Sequence, residues 1–301
     1  MSLRVIQPGL LSLPVDLGRP SFRSLGVPLG GAADRASCRL ANALVGNPPD
    51  AVALELTLAG PTLVADHEVG CVVFGAPFQL SIDGRNEQPE VGLTFALQEG
   101  ETLRIGGTPT GARGYLAVVR GFEHPKVLGS ASAFRGIRSG DALSCESSRI
   151  SGRTLPFSQL SGGDGTTFLR VVIGPQRDWF FDDAFFTNEY FVAAASNRMG
   201  LRLEGPKLIK RDAELTSEPV APGAVQVAND GLPIVLGIDG QTIGGYPKIA
   251  HVIGADLDRL ARLRPASRVR FHLVSIQEAE DEADANEAFL RDWEMRLGAS
   301  R

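Results

Sequence analysis

Cysteine, histidine and positive charge are all scarce in this chain, and each scarcity closes off a class of function. The three cysteines, Cys38, Cys71 and Cys145, stand far apart. They form no CxxC pair and no Cys/His cluster, so neither a zinc site nor a disulfide framework is expected. Such scattered thiols fit a reducing compartment. None of the four histidines, His67, His124, His251 and His272, has metal-type spacing. His251 and His272 lie in apolar, strand-like runs and are expected to be structural. A net charge of −5 lacks the basic excess that nucleic-acid binding needs.

Long hydrophobic runs are missing too. No apolar stretch is long enough to span a bilayer, and the opening MSLRVIQPGLLSLPVDLG lacks the apolar core of a signal peptide. The expectation is a cytoplasmic protein with neither a membrane nor a nucleic-acid partner. There is no GxSxG elbow and no nucleophilic-cysteine motif. A self-sufficient catalytic apparatus is therefore not visible, and no catalytic residue is assigned.

Glycine and proline are abundant, at 35 and 19 residues. They favour short strands joined by turns. In residues 1–150 the runs Val72–Phe74, Gln79–Ile82, Thr102–Ile105 and Tyr115–Val119 read as strands. One helix is predicted near Ala32–Leu44, with Asp34 and Arg35 in its first turn and Gly46-Asn47-Pro48 as its stop. Residues 151–167, SGRTLPFSQLSGGDGTT, read as a linker. A second β-rich domain, 168–301, is predicted to start with a strand at Phe168–Ile173. Short helices are expected at Asp182–Thr187 and Leu257–Arg262. From Gln277 the pattern turns helical, with Phe289, Leu290, Trp293 and Leu297 at helical spacing.

The two halves echo each other. LELTLAGPTL (54–63) resembles MGLRLEGPKL (199–208), and LSIDG (80–84) resembles LGIDG (236–240). ETLRIGG (101–107) and SRVRFHL (267–273) follow in the same order. Three ordered matches favour an internal duplication.

The most distinctive segment is GIDGQTIGGYPKI, residues 237–249. It places Asp239, Gln241, Thr242, Gly244, Gly245 and Tyr246 between two apolar runs. Paired glycines let backbone and ligand approach closely because no Cβ intervenes. Gln241, Thr242 and Tyr246 both donate and accept hydrogen bonds, and Lys248 adds a point charge. Arg198, in ASNRMGLRLEGP, offers a guanidinium suited to a carboxylate or carboxyphosphate. In the first half, Asp16 and Arg19 flank Gly18, and Gly30-Gly31 precede Asp34. These glycines fit neither a phosphate loop nor a dinucleotide fingerprint. The set suits a small amide- or carboxylate-bearing substrate. A turn, a helix-start carboxylate and surface ion pairs are the plainer alternatives for the same residues.

Seven segments in one order resemble a known family: DLGR (16–19), GVPLGGAADR (26–35), LANALVGNP (40–48), LELTLAGPTL (54–63), SNRMGLRLEGP (196–206), SEPVAPGAVQV (217–227) and DGQTIGGYPKIAHVIGADL (239–257). The chain resembles the allophanate-hydrolase subunit 2 family, also called KipA-like or biotin-dependent carboxyltransferase, which includes the C subunit of 5-oxoprolinase. The resemblance implies a mainly β fold: two cyclophilin-like β-barrel domains with a few short helices and a C-terminal helix. It implies work with a KipI-like subunit 1 protein and, for 5-oxoprolinase, a LamB/YcsF-type subunit. The implied reaction opens 5-oxo-L-proline to L-glutamate with ATP used by the complex. No cofactor is expected on this chain alone. Alternatives within the family are a urea carboxylase-type carboxyltransferase component, with carboxybiotin carried by another chain, and a non-catalytic KipA-type regulator. The chain departs from the family pattern at Val15, Gly31 and Ala33, and its segment after Ser132 is short.

Overall fold

The computed structural model describes residues 1–155 and 165–299. Most of the expected linker lies outside the described residues. The chain is mainly β, as expected, and its contacts divide it into two units. Among the described residues, unit 1 contains 1–18, 34–155 and 289–299, and unit 2 contains 19–33 and 165–288. The grouping crosses the expected domain boundaries twice. Segment 19–33 groups with the second unit, and the end of the last helix groups with the first.

Unit 1 carries strands β1 (Ser2–Gln7), β2 (Leu11–Val15), β3 (Ala53–Thr57), β4 (Thr62–Ala65) and β5 (Val69–Gly75). It continues with β6 (Leu80–Ile82), β7 (Phe95–Leu97), β8 (Thr102–Ile105), β9 (Arg113–Val118) and β10 (Ala142–Ser144). They form two five-stranded sheets, ordered β10-β1-β4-β8-β6 and β2-β3-β9-β5-β7. Leu3, Leu63 and Leu103 from the first sheet share a buried core with Leu56, Val73 and Leu116 from the second. Helix α1 (Arg35–Leu44) packs on β5 and β9. Asp34 lies just outside the predicted first turn, at the N-cap, where its carboxylate accepts from the Ser37 amide at 3.0 Å. That satisfies one of the helix's orphan donors.

Unit 2 carries β11 (Thr167–Ile173), α2 (Ala184–Thr187), β12 (Tyr190–Val192), β13 (Gly200–Glu204), β14 (Glu218–Pro219) and β15 (Ala224–Val227). β16 (Pro233–Leu236), β17 (Ile243–Gly244), β18 (Lys248–Val252), α3 (Leu257–Arg262), β19 (Arg268–Leu273) and the first part of α4 (Ile276–Ala299), up to Ala288, follow. Seven strands close a barrel in the order β11-β18-β15-β16-β13-β12-β19. Closure comes from parallel pairing of β11 with β19, from Thr167↔Val269 to Val171↔Leu273. Leu169, Val171, Val225, Val235, Ile249 and Phe271 fill the interior, and Phe185 of α2 stacks on Phe271 at 4.3 Å between ring centroids. In α4, Leu290 and Leu297 are buried and Phe289 and Trp293 are half-buried, which follows the predicted helical spacing.

In unit 2, β13 pairs directly with β16, which ends at Leu236, the first residue of the LGIDG segment. In unit 1 the matching LSIDG segment carries β6, which pairs with β8.

Asp256 is fully buried beside the start of α3. It accepts from the Arg170 amide at 2.7 Å, from Arg170 Nε at 3.0 Å and from Nη2 at 2.7 Å. Arg170 also pairs with Glu282, which ties α4 to the barrel wall within unit 2. Asp256→Ala leaves an amide and a guanidinium without their main acceptor. Urea unfolding is expected to show a loss of about 3 kcal/mol, and a loss below about 0.5 kcal/mol, the scale of an ordinary surface change, contradicts this role.

Candidate functional site

In unit 2 the loop 237–247 lies against segment 29–31 and against the barrel wall. Gly30 N donates to the Ile238 carbonyl at 3.2 Å. The Arg198 guanidinium makes a two-pronged pair with Asp239, Nε to Oδ2 at 2.7 Å and Nη2 to Oδ1 at 3.1 Å. The same Nη2 donates to the Gly31 carbonyl at 2.7 Å. Arg198 is buried, so these contacts commit it to holding the loop. Arg19 is also buried and packs under Gly30, where a Cβ would come within 3.0 Å of its Nη1. Arg23 Nη2 donates to the Val220 carbonyl. Burial lowers the Arg23 pKa from its ordinary value.

Further along, the loop forms the short ribbon β14–β17, with Glu218 opposite Gly244 and Pro219 opposite Ile243. The Val220 amide donates to the Thr242 carbonyl at 3.0 Å. This ribbon lies by β15 and β18, whose register pairs Gln226 with Lys248 after a bulge at Val225/Gln226. Val225 and Val227 point into the barrel core, so strand alternation turns Gln226 to the opposite face. Paired cross-strand positions share a face, which sets Lys248 beside Gln226. Both are buried, at 1% and 6% exposure. The loop covers them.

Gly244 allows that cover to fit. A Cβ there would lie 2.5 Å from Gln226 Nε2 and 3.0 Å from Gln241 Nε2. Lys248 Nζ is ion-paired with Glu218, and its backbone amide donates to Gln176 Oε1 at 3.0 Å. Gln176 Nε2 reaches Glu218 at 2.9 Å. The Lys248 ammonium, and then the Gln176 carboxamide, hold the Glu218 carboxyl below its ordinary pKa. Beyond the contact with Glu218, Nζ has no directed acceptor, and Gln226 Nε2 has none at all among the described residues. A buried amide donor left without an acceptor, as Gln226 Nε2 is, costs about 1–3 kcal/mol.

The predicted residues therefore fall into two sets. Arg19, Arg198, Gln241, Thr242, Gly244, Gly245, Tyr246 and Lys248 all belong to unit 2. The loop carries Gln241, Thr242, Gly244, Gly245 and Tyr246, with Gln241 and Tyr246 exposed, and Lys248 is buried at the start of β18 beneath it. Asp16 and Asp34 belong to unit 1. Glu218 and Gln226 lie in the family-like segment SEPVAPGAVQV, but the sequence assigns no site role to them or to Gln176. A further signal for Gln226 is its place within an otherwise apolar strand, AVQV.

In unit 1, Asp16 accepts from Ser130 Oγ, Ser132 Oγ and the Ala131 amide, each at 2.6 Å, and from Gly18 N at 2.8 Å. Burial pushes its pKa up, but these donors outweigh it and hold the carboxyl below its ordinary value. Asp34 joins a second buried network. Its amide donates to Tyr115 Oη at 2.9 Å, and that hydroxyl donates to Glu55 Oε2 at 2.9 Å. Arg113 Nε completes the chain at 3.3 Å from Glu55. Burial, and then the charges of Glu55, Asp34 and Asp16, push the Cys38 thiol well up, so it stays protonated. All three cysteines are buried and free.

A carboxyl whose folded-state pKa is depressed stabilises the fold above its unfolded value and loses that contribution as pH falls through the lower folded value. Asp16→Asn is therefore expected to be most destabilising above about pH 4. The gap from the unaltered protein narrows in more acidic solution. Melting temperatures measured across pH check this, and parallel curves for the two proteins contradict it.

The comparisons agree with this architecture. The family model for the carboxyltransferase domain, subdomain A and B, matches residues 25–273. The chain is 34% identical to the C subunit of 5-oxoprolinase from Escherichia coli (strain K12), over 98% of each chain. It is 28% identical to urea amidolyase of Lachancea kluyveri, covering 97% of this chain and 18% of that one. The crystal structure of the K. lactis urea amidolyase superimposes with a TM-score of 0.89 at 26% identity, over 97% of this chain and 20% of that one. The chain thus corresponds to about the full length of the bacterial protein and to a fifth or less of these two fungal enzymes. Among the described residues no helix is long and apolar enough to cross a membrane. On the match over residues 25–273 and the near full-length relative, the chain belongs to the carboxyltransferase domain, subdomain A and B, family.

Proposed function

We propose that this chain is the counterpart of the C subunit in an ATP-dependent 5-oxoprolinase, which opens 5-oxo-L-proline to L-glutamate. Full-length similarity to the E. coli protein, in both directions, carries this reading. The chemistry of the site supports it. The covered surface in unit 2 offers N–H donors from Lys248 and hydrogen-bonding side chains from Gln241, Thr242 and Tyr246. These suit a small, polar amide that must be oriented before its C–N bond breaks. Arg198 positions the loop by holding Asp239. The chain acts with a KipI-like subunit and a LamB/YcsF-type subunit in the cytoplasm, and ATP is consumed by the assembled enzyme.

The second reading is a carboxyltransferase component of a urea carboxylase-type system, with carboxybiotin brought by another chain. The similarity to the fungal enzymes favours it, since it spans nearly all of this chain.

The purified chain, mixed with its two partner subunits, ATP and 5-oxo-L-proline, is expected to form glutamate. Lys248→Ala is expected to reduce that rate about 100-fold or more, the scale of losing one preorganised donor, while assembly by size-exclusion chromatography is retained. Absence of glutamate from the unaltered complex rejects the oxoprolinase reading. Carboxyl transfer from carboxybiotin to urea would then establish the second.

A further inference from the structure

In unit 1, β6 is the last strand of one sheet and β7 the last strand of the other, and loop 83–94 joins them. A terminal strand presents a row of N–H and C=O groups that can template another strand. Gln79 and Asp83 donate inward, to the carbonyls of Gly107 and Thr102. Strand alternation therefore turns Leu80 and Ile82 outward. The outward groups of Ile82 are met by a side chain. Its amide donates to Gln88 Oε1 at 2.6 Å, and its carbonyl accepts from Gln88 Nε2 at 3.4 Å and from the Arg85 amide at 3.2 Å. A carboxamide thus stands where the peptide group of a neighbouring strand would stand. Gln88 is itself exposed, so little packing holds it there. On β7 the Ala96 carbonyl accepts from Arg85 Nη2 at 2.8 Å.

An open cavity of about 350 Å³ adjoins these caps. Arg85 and Gln88 line it together with Glu87, Pro89, Leu93 and Phe95. A cap that served only to blunt the edge would have no use for open apolar space beside it. The charge balance says what suits that space. Arg85 is the one base in the loop, and Glu101 neutralises it, Nε to Oε1 at 2.7 Å. Arg104 of β8 is likewise paired with Asp83 at 2.8 Å. Glu87 and Glu90 are exposed and have no ion pair among the described residues, so the free charge of the loop is acidic. We propose that the β6 edge docks an extended segment of another protein chain, with an apolar residue in the cavity, lysines facing Glu87 and Glu90, and Gln88 as the placeholder the segment displaces. Main-chain bonds to Leu80 and Ile82 supply affinity, and the cavity and the acids supply selectivity. This surface is independent of the reaction proposed for the chain.

The probe is a capped, fluorescent hexapeptide alternating lysine and valine, and the control carries glutamate in place of lysine. Binding to the full-length chain is followed by fluorescence anisotropy, and hydrogen–deuterium exchange reports on residues 79–83. The lysine peptide is expected to bind and to slow exchange in that segment. The glutamate peptide is expected to bind at least about tenfold more weakly, because unscreened acids on both sides repel. Gln88→Ala is expected to tighten binding of the lysine peptide about fivefold, since the segment then displaces no hydrogen-bonded side chain. Leu93→Ser is expected to weaken it about tenfold through lost apolar contact. Leu93 and Gln88 are exposed, and unchanged melting temperatures confirm that both variants fold. Failure of the lysine peptide to bind overturns the proposal, as does equal binding of the two peptides. Binding without slowed exchange at 79–83 overturns the edge pairing. Self-association of Gln88→Ala with no gain in peptide affinity also overturns it, and shows Gln88 to be a guard of the edge.

Discussion

The Arg198 guanidinium is the contact on which the site in unit 2 depends. It joins Asp239 to the carbonyl of Gly31. Gly31 is 167 positions from Arg198 in the chain, so this one side chain closes a very long loop. Such closure needs a directional interaction, and a fork-shaped guanidinium provides two bonds to one carboxylate and a third to a carbonyl. The backbone bond from Gly30 to Ile238 adds to it. With residue 239 anchored, the following residues have little freedom. They run into the β14–β17 ribbon and lie across Gln226 and Lys248.

That arrangement separates two roles that the sequence alone blends together. A guanidinium near a glycine-rich loop looks like a ligand arm. Here Arg198 is satisfied by protein groups and positions the loop, whereas the groups with spare donors lie elsewhere, on the strands beneath it. Asp16 behaves like Arg198 in this respect. Four donors surround it, two of them hydroxyls from Ser130 and Ser132. Its family-like position in DLGR serves the packing of the 130–132 turn within unit 1. Charges satisfied by protein groups in this way hold the fold in place.

How much is legible in the sequence follows from interaction range. The helix at Arg35–Leu44, the helix at Leu257–Arg262 and the strand at Thr102–Ile105 rest on local patterns, and those patterns place their ends within a few residues. The Gly-Gly pair and its polar neighbours mark the loop for the same reason. Segment 19–33 reads with the first half because it is contiguous with it. Its assignment to unit 2 depends on Gly30 and Gly31 meeting partners more than 160 residues away, which no local pattern encodes. Gln226 escapes notice because a single polar residue between valines reads as the solvent side of a strand. Only the loop above it turns that solvent side into a buried one.

The ion pair between Lys248 and Glu218 argues against reading the site as a simple anion trap. Glu218 is more than a third exposed and Lys248 is nearly buried, so the pair is asymmetric. The buried ammonium bears most of the desolvation, and a carboxylate at its side is what makes its burial tolerable. A site built to bind an anion would leave that ammonium without a protein counter-charge until the ligand arrived. Supplying the counter-charge in advance lowers affinity for anions and leaves neutral acceptors almost unaffected.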